Sequence, residues 1–236
     1  QLQLLAQHIA ALCNAKFGFM GEAANSVGGY LAQAVPFAAG KAGLNAASML
    51  ASPRKAYLLL NVEAELDAHN PQQALAALYA ADMVVAMSAY KHFASDYADV
   101  MLPIAPFTET SGTFVNTEGR VQSFNGTVKP LGDARPAWKV LRVLGNLLNV
   151  EGFDQDASEA VRDEALRGVE IGSKLGNTLQ GVTVLAAAPS AGLQRVADVP
   201  IYSSDAIVRR APPLQATHDA LPPSAAMHGD ELAKLA

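Results

Sequence analysis

The sequence predicts an α/β fold with a Rossmann-like, mostly parallel sheet and flanking helices. Lys55–Val62 and Asp82–Met87 are short apolar runs, typical of parallel strands that are covered on both faces. A third run, Asp99–Ile104, follows a short helical stretch at His92–Tyr97. Strands that alternate with helical connections of about 10 to 15 residues indicate an open α/β sheet.

Composition narrows the class of protein. The 236 residues are 50% hydrophobic and 17% charged, which excludes a disordered chain. The net charge of −5, without a basic stripe, speaks against nucleic-acid binding. Cys13 is the only cysteine, so no disulfide, cysteine-based zinc site or cysteine-ligated iron–sulfur cluster can close within this chain. The uncharged stretch 23–40 is too polar for a membrane span, and we expect a soluble piece.

The segment before the first of these strands predicts a helix, a strand and a loop. Leu2–Ala15 has the apolar period of an amphipathic helix from its first residues, so we expect a piece of a longer protein. Cys13 lies on the apolar side of this helix, where cysteine usually acts as a small buried hydrophobe. Phe17–Met20 predicts a buried strand, followed by a loop around Asn25 and Gly28.

Further elements follow from capping residues and periodicity. Asn70 and Pro71 predict the capped start of a helix that reaches about Ala81. Arg135–Pro136 opens a second helix, whose apolar face is formed by Trp138, Leu141, Leu144, Leu147 and Leu148. Downstream we expect a surface helix at Asp154–Glu170, a strand at Gly181–Ala188, an extended segment at Val199–Tyr202 and a short helix from about Gly229.

These elements suggest a division of the chain into three parts. Residues 1–150 are expected to form the α/β domain, and 151–198 to add a helix and a strand that complete it. Residues 199–236 are expected to form an extended linker or tail, because they contain too little apolar surface for a domain of their own.

One segment differs from the rest in composition. Pro106–Asp133 contains no alanine, although alanine is the commonest residue of the chain. Its threonines, glycines and asparagines predict a loop with two short extended pieces, Thr113–Asn116 and Val121–Phe124, and an Asn125–Gly126 turn. Long irregular segments inside compact domains tend to be functional or to form interfaces.

Nucleotide-binding and metal-binding signatures are missing from the sequence. No Gly-x-Gly-x-x-Gly follows a predicted strand, and no phosphate-binding P-loop exists. The loop of Asn25 and Gly28 could bring backbone N–H groups to a phosphate or pterin, but a tight crossover turn is the favoured interpretation. No histidine spacing is typical of a metal site, so none is predicted.

Three side chains could carry chemistry by themselves. His92 lies near Asp96 and Asp99, which would allow a hydrolase-like relay, although a surface or capping histidine is favoured. Glu63 and Glu109 could be acid–base groups at strand ends, or they could cap a helix or pair with Arg120. The structural interpretation is preferred for both carboxylates.

The alanine-free segment also carries a family resemblance. Ala98–Pro103 followed by Glu109–Gln122 resembles the signature of the molybdopterin oxidoreductase superfamily. The loop Gly21–Gly28 and the helix start Ala134–Trp138 are similar to two further stretches of that family. The resemblance implies a Rossmann-like domain and points to possible vestigial pterin-loop positions at Asn25, Gly112, Thr113, Asn116, Glu118, Gly119 and Arg120. We expect these residues to serve the structure of the loop, with Arg120 held by Glu109 or Glu118.

A second resemblance selects a branch of this superfamily. Val199–Thr217 resembles the linker of the family of large iron–sulfur subunits of bacterial respiratory NADH:quinone oxidoreductase, or complex I. That branch implies a module without catalytic residues, cofactor or metal, attached to upstream domains with 4Fe-4S and 2Fe-2S clusters. Its partners would be other peripheral-arm subunits, at the cytoplasmic face of the inner membrane and without a membrane span of its own.

Two other functions remain open at this point. A fragment of a true molybdopterin enzyme, such as a formate dehydrogenase, would carry its metal ligand upstream of this segment. An unrelated α/β enzyme would use Glu63 and Glu109.

Overall fold

A three-stranded parallel sheet lies at the centre of the fold. In the computed structural model β1 (Ala56–Leu60), β2 (Met83–Ser88) and β3 (Val100–Pro103) are neighbours in this order. Tyr57 pairs with Val84, and Ala86 pairs with Met101. The predicted α/β class and its parallel strands are therefore confirmed. The structure describes residues 2–21, 23–36, 42–179, 192–194, 196, 199–220 and 224–234.

The other elements of the described residues are mostly short helices. Their bounds are α1 Leu2–Leu12, α2 Ser26–Leu31, α3 Ala46–Ala51, α4 Ala64–Asp67, α5 Pro71–Tyr79, α6 Ala137–Leu147, α7 Ser158–Ala165, α8 Ile171–Lys174, α9 Ala206–Arg209, α10 Pro212–Gln215 and α11 Gly229–Ala233. Helix α5 starts as predicted, because Asn70 accepts a hydrogen bond from the backbone N–H of Gln73 at 3.1 Å. Short 3₁₀ helices lie at Phe93–Asp96, Phe107–Glu109 and Ile201–Ser203.

The core lies between one face of the sheet and α5. Ala74, Ala77 and Leu78 of α5 are fully buried against Val84 and Ala86 of β2. Alanine at these helix positions lets the backbone of α5 come close to the sheet, and the alanine-rich composition of the chain suits this packing.

The opposite face of the sheet is partly open. Leu58 and Leu60 of β1 are 47% and 43% exposed, and Met83 and Val100 are also exposed. The prediction that both faces are covered is therefore wrong for the described part of the chain. An apolar run indicates that a strand can be buried on both faces. The elements that cover the second face come from elsewhere, and the run does not specify them.

A two-stranded antiparallel hairpin stands beside the parallel sheet. Its strands β4 (Gly112–Val115) and β5 (Val121–Phe124) match the two predicted extended pieces. Residues 116–120 connect the two strands, and the turn predicted after them at Asn125–Gly126 is wrong, because the backbone is irregular there. Gly126 lies against the backbone of Glu109, where there is no room for a Cβ atom.

Several predictions for the first 36 residues are wrong. Phe17–Met20 is irregular, and Phe19 and Met20 are 59% and 90% exposed, because no neighbouring strand pairs with this segment among the described residues. The predicted loop at Gly28 is helix α2. Cys13 follows the end of α1 and is exposed. The apolar face of α1, with Ile9 at its centre, is itself exposed, so it offers no interior for Cys13.

The C-terminal part contains short helices. The predicted helices after Pro136 and from Gly229 are present as α6 and α11, whereas α7 covers only part of Asp154–Glu170. Val199–Tyr202 is partly 3₁₀-helical rather than extended. The strand predicted at Gly181–Ala188 lies outside the described residues. Among the described residues, no helix is long and apolar enough to cross a bilayer.

Candidate functional site

The turn between β4 and β5 is closed by one asparagine side chain. Asn116 Oδ1 accepts hydrogen bonds from the backbone N–H groups of Glu118 at 3.1 Å and Arg120 at 2.9 Å. Gly119 has φ +79°, a conformation that glycine adopts without strain. A Cβ at this position would also lie 2.5 Å from Leu175 Cδ1. The motif residues Asn116 and Gly119 thus set the shape of the turn.

A second asparagine joins the hairpin to α2. Asn25 Oδ1 accepts a hydrogen bond from the backbone N–H of Val115 at 2.8 Å, across 90 residues of sequence. Gly28 lies directly under this carboxamide, and a Cβ atom there would overlap it. The spacing of Asn25 and Gly28 therefore has a steric reason, which is room for the Asn25 side chain.

The strands of the hairpin pack on each other through aromatic rings. Phe114 and Phe124 meet edge to face with ring centroids 5.0 Å apart. Gly112 lies under the ring of Phe124, where a Cβ atom would come within 2.8 Å of Cζ. On the exposed side, Thr113 Oγ1 and Ser123 Oγ are 2.9 Å apart. Gly112 and Thr113 are thus positions of strand pairing.

The charged residues of the motif lie at the surface. Arg120 and Glu118 form an ion pair of 3.6 Å in which both side chains are about 70% exposed. Glu109, the other partner expected for Arg120, instead accepts a hydrogen bond from the backbone N–H of Leu131 at 3.1 Å. Arg120 is thus paired with Glu118, and Glu109 binds a different part of the segment.

A molybdopterin group would need free polar side chains at these motif positions. The side-chain oxygens of Asn25 and Asn116 accept hydrogen bonds from the chain's own backbone, and Arg120 pairs with Glu118. A cavity of about 700 Å³ lies nearby, between α1, α2 and the segment before Asn177, with Lys174 as its one lining cation. The Oδ1 atoms of both asparagines are therefore used within the chain, so neither offers this acceptor to a pterin group. The predicted structural role of the motif side chains stays a prediction.

A separate polar cluster lies at the carboxyl end of β1. Glu63 is only 4% exposed, and its carboxylate accepts a hydrogen bond from Arg210 Nη1 at 2.6 Å. Arg209 Nη1 lies 3.7 Å from the same carboxylate, and Arg209 Nη2 donates to Asp67 Oδ1 at 2.6 Å. The guanidinium of Arg210 also stacks on the Tyr90 ring, 4.7 Å from its centroid.

Glu65 and Tyr97 extend this cluster. The Tyr97 hydroxyl donates to Glu65 Oε2 over 3.4 Å, and the ring is almost fully buried. Burial, reinforced by the negative charge of Glu65, raises the pKa of Tyr97 to about 12. Tyr97 is therefore a neutral donor here.

His92 completes the cluster without forming the predicted relay. Its Nδ1 accepts a hydrogen bond from the Ala94 N–H at 3.2 Å, so the proton of the neutral ring is on Nε2. Asp99, one expected relay partner, accepts from the Val84 N–H instead. His92 Nε2 is buried and has no hydrogen-bond partner among the described residues.

The group of Glu63, Glu65 and His92 has its potential ligand atoms within 4.8 Å of one another. Sequence spacing did not predict this group, because its members come from two different strand ends. Arg209 and Arg210 already neutralise Glu63. Coordination of a metal ion through His92 Nε2 would move the ring proton to Nδ1, where it would point at the Ala94 N–H that Nδ1 now accepts from. The negative charge of Glu63 is therefore compensated without a metal ion.

The arginines of this cluster were missed by sequence reasoning. Arg209 and Arg210 stand in the tail, far from any predicted strand. The one signal in the sequence was the presence of two adjacent arginines in a segment with little else that is charged.

Comparison with known proteins decides the family. The model of the molybdopterin oxidoreductase family matches residues 4–147, which contain both sheets, the turn at Asn116 and α6. The chain belongs to the molybdopterin oxidoreductase family. The superfamily resemblance of the motif segment is thereby confirmed. The tail with Arg209 and Arg210 lies outside the matched residues, so the ion pairs on Glu63 connect the family domain to a following segment.

Relatives of this molybdopterin oxidoreductase family chain occur in Staphylococcus aureus. A protein of strain MRSA252 with the name "Putative formate dehydrogenase" is 40% identical over 86 residues, which are 36% of this chain and 9% of that protein. Proteins of the same name in strains USA300 and COL are 38% identical over 86 residues, with the same coverage. The match thus spans about one-tenth of the length of these relatives.

Proposed function

We propose that the chain is a non-catalytic structural module of the large iron–sulfur subunit in the peripheral arm of bacterial NADH:quinone oxidoreductase. In this role it supports electron transfer from NADH to quinone without itself binding a redox group. Its partners are other peripheral-arm subunits, at the cytoplasmic face of the inner membrane. Membership of the molybdopterin oxidoreductase family supports the proposal at the level of the superfamily.

The contact of Arg210 with Glu63 carries the proposal. Open α/β sheets bind ligands in the crevice beyond the carboxyl ends of their strands. Here Glu63 follows β1 at that edge, and its buried carboxylate is occupied by two arginines of the tail. The tail segment that supplies them, Val199–Thr217, is the one whose sequence resembles the linker of the complex I subunit. An edge closed by the chain itself favours a structural role.

Iron–sulfur clusters are assigned to other parts of the parent subunit in this proposal. Cys13 is the only cysteine of the chain, and a cluster needs several thiolates. The 4Fe-4S and 2Fe-2S clusters would therefore be held by domains other than the one described.

A second candidate is a module of a molybdopterin-dependent enzyme of the formate dehydrogenase type. The names of the staphylococcal relatives favour it. In that enzyme the molybdopterin group, held mainly by other parts of the protein, would perform the redox chemistry. This chain would contribute part of the surrounding fold.

The two candidates differ in metal content and in activity. We expect the purified full-length protein to lack stoichiometric molybdenum, tungsten and pterin, and membranes that contain it to oxidise NADH with quinone. Elemental analysis and pterin fluorescence after oxidation measure the first property. Stoichiometric molybdenum or tungsten together with formate oxidation would overturn the proposal in favour of the second candidate.

The structural role has its own test. Arg210→Ala should lower the amount of assembled complex in membranes, while the NADH:quinone activity per assembled complex stays unchanged. Arg120→Ala, which removes an exposed ion pair, is the matched control and should change neither quantity. A loss of activity per complex in Arg210→Ala would contradict a purely structural role.

A further inference from the structure

A groove runs along α6 next to the open face of the parallel sheet. It has a volume of about 610 Å³, and its apolar floor is formed by Leu102, Val140, Val143, Leu144 and Leu147. We call it the α6 groove. Val143 and Leu147 are 50% and 75% exposed. Leu102 is aligned through Met87 with Leu60, so the apolar floor continues onto the exposed leucines of β1.

The spacing of the α6 residues is typical of a helix that packs against another helix. Residues 140, 143, 144 and 147 follow the i, i+3, i+4, i+7 pattern of a helix-pairing seam. A separate cavity of about 300 Å³ lies between α6 and α7, with Leu141, Phe153 and Val161 among its lining residues. Parallel sheets are normally covered by helices on both faces. An α-helix is therefore the element that fits this groove.

The rim of the groove differs in charge from the rest of the molecule. Arg135, Lys139 and Arg142 line it, with Asp156 as the one lining anion, whereas the whole chain has a net charge of −5. Arg142 pairs with Asp156 at 3.3 Å, which leaves Arg135 and Lys139 as the excess positive charge of the rim.

We propose that the α6 groove binds an amphipathic α-helix of a partner protein, with an apolar stripe against Val143 and Leu147 and carboxylates along the edge that faces Lys139 and Arg142. The carboxylates supply the negative charge that the rim lacks. Charge complementarity of this kind selects the partner and speeds association. The groove has these properties whichever redox complex contains the chain.

The single tryptophan provides a direct readout. Trp138 lines the groove, so its fluorescence reports occupancy without a label. Two synthetic helical peptides of about 18 residues, long enough to form a helix, are titrated into the 236-residue protein. They share one leucine stripe and differ only in the flanking residues, which are glutamate in one and lysine in the other. We expect a saturable emission shift and at least about tenfold tighter binding of the glutamate peptide.

Three variants test the location of the binding site. Leu147→Asp should abolish binding, whereas Leu148→Asp, a neighbouring exposed leucine outside the groove lining, should not change it. Lys139→Glu should reverse the preference between the two peptides. All three positions are exposed, and circular dichroism with thermal unfolding verifies that each variant is folded.

Several results would overturn the proposal. They are equal affinity for the two peptides, no saturable shift with either, or equal losses in Leu147→Asp and Leu148→Asp. Sedimentation at the same protein concentrations tests whether a second copy of the chain occupies the groove. If a second copy of the chain fills the groove, Leu147→Asp converts a dimer to a monomer, and the proposed partner helix is wrong.

Discussion

The guanidinium of Arg210 lies 2.6 Å from the carboxylate of Glu63, although the two residues are 147 positions apart in sequence. Glu63 is almost completely buried, so its negative charge would be expensive without this partner. The contact fixes the tail against the sheet and closes the polar cluster at the end of β1. Removing one partner should therefore have a larger effect than removing a surface ion pair.

Arg210→Ala should lower the free energy of unfolding by about 2 to 4 kcal/mol, because it leaves Glu63 buried with only the more distant Arg209. Chemical denaturation measures this change. Arg120→Ala is the control and should shift the free energy by less than about 0.5 kcal/mol, since its ion pair with Glu118 is exposed. Adding Glu63→Gln to Arg210→Ala should recover part of the loss, and strict additivity would contradict the pairing.

Gly28→Ala should destabilise the protein by about 1 to 2 kcal/mol. The new methyl group would displace the Asn25 carboxamide and leave the Val115 N–H, which is buried, without its acceptor. Gly29→Ala in the same helix meets no atom within 4 Å and should stabilise by up to about 1 kcal/mol through helix propensity. Thermal unfolding measures whether each variant is less or more stable than the wild-type protein. Equal changes in the two variants would argue against the Asn25 contact.

Tyr97 should make the protein less stable at high pH. Its pKa is about 12 in the folded protein and 10.0 when unperturbed, so the unfolded chain loses this proton first as the pH rises. The contribution of Tyr97 is fully present below pH 10 and is lost as the pH approaches 12. Unfolding measured across this window should show a steeper decline in the wild-type protein than in Tyr97→Phe. Parallel slopes would show that the Tyr97 pKa is not raised.

Gly119→Ala should destabilise the hairpin by about 1 to 2 kcal/mol. Alanine disfavours the φ of +79°, and its methyl group would press on the side chain of Leu175. Gly176→Ala, a nearby position with no atom within 4 Å and no positive φ, is the control. Hydrogen exchange of the Arg120 and Gly119 amides should accelerate in the first variant and remain unchanged in the second.

The strands of the parallel sheet could be predicted because each is a continuous apolar run with turn residues at its ends. The same rule failed at Phe17–Met20, which is equally apolar but has no neighbouring strand among the described residues. Pairing depends on residues elsewhere in the chain, and a local pattern does not contain them. Cys13 was assigned to an interior for the same reason, since the period of α1 predicts an apolar face but not what covers it.

The candidate site also has a part that the sequence predicted and a part that it did not. The motif positions Asn25, Asn116 and Gly119 were found because they are close in sequence or follow a known signature. Their acceptor and steric roles required coordinates. The cluster around Glu63 was beyond local reasoning, because a buried ion pair with Arg210 depends on where the tail folds back. A carboxylate after a strand is equally compatible with a cap, a catalytic group or a distant partner.

The separation of Glu63 and Arg210 also has a consequence for biosynthesis. At about 5 to 20 residues per second, a ribosome needs about 7 to 30 s to reach Arg210 after it has added Glu63. The residues of α5, β2 and β3 are made during this interval, so the sheet can pair and α5 can pack before Arg210 is added. The Glu63 carboxylate must stay hydrated until the tail emerges. The Glu63–Arg210 ion pair therefore forms late in synthesis. Its timing is set by translation of the tail and not by folding of the sheet.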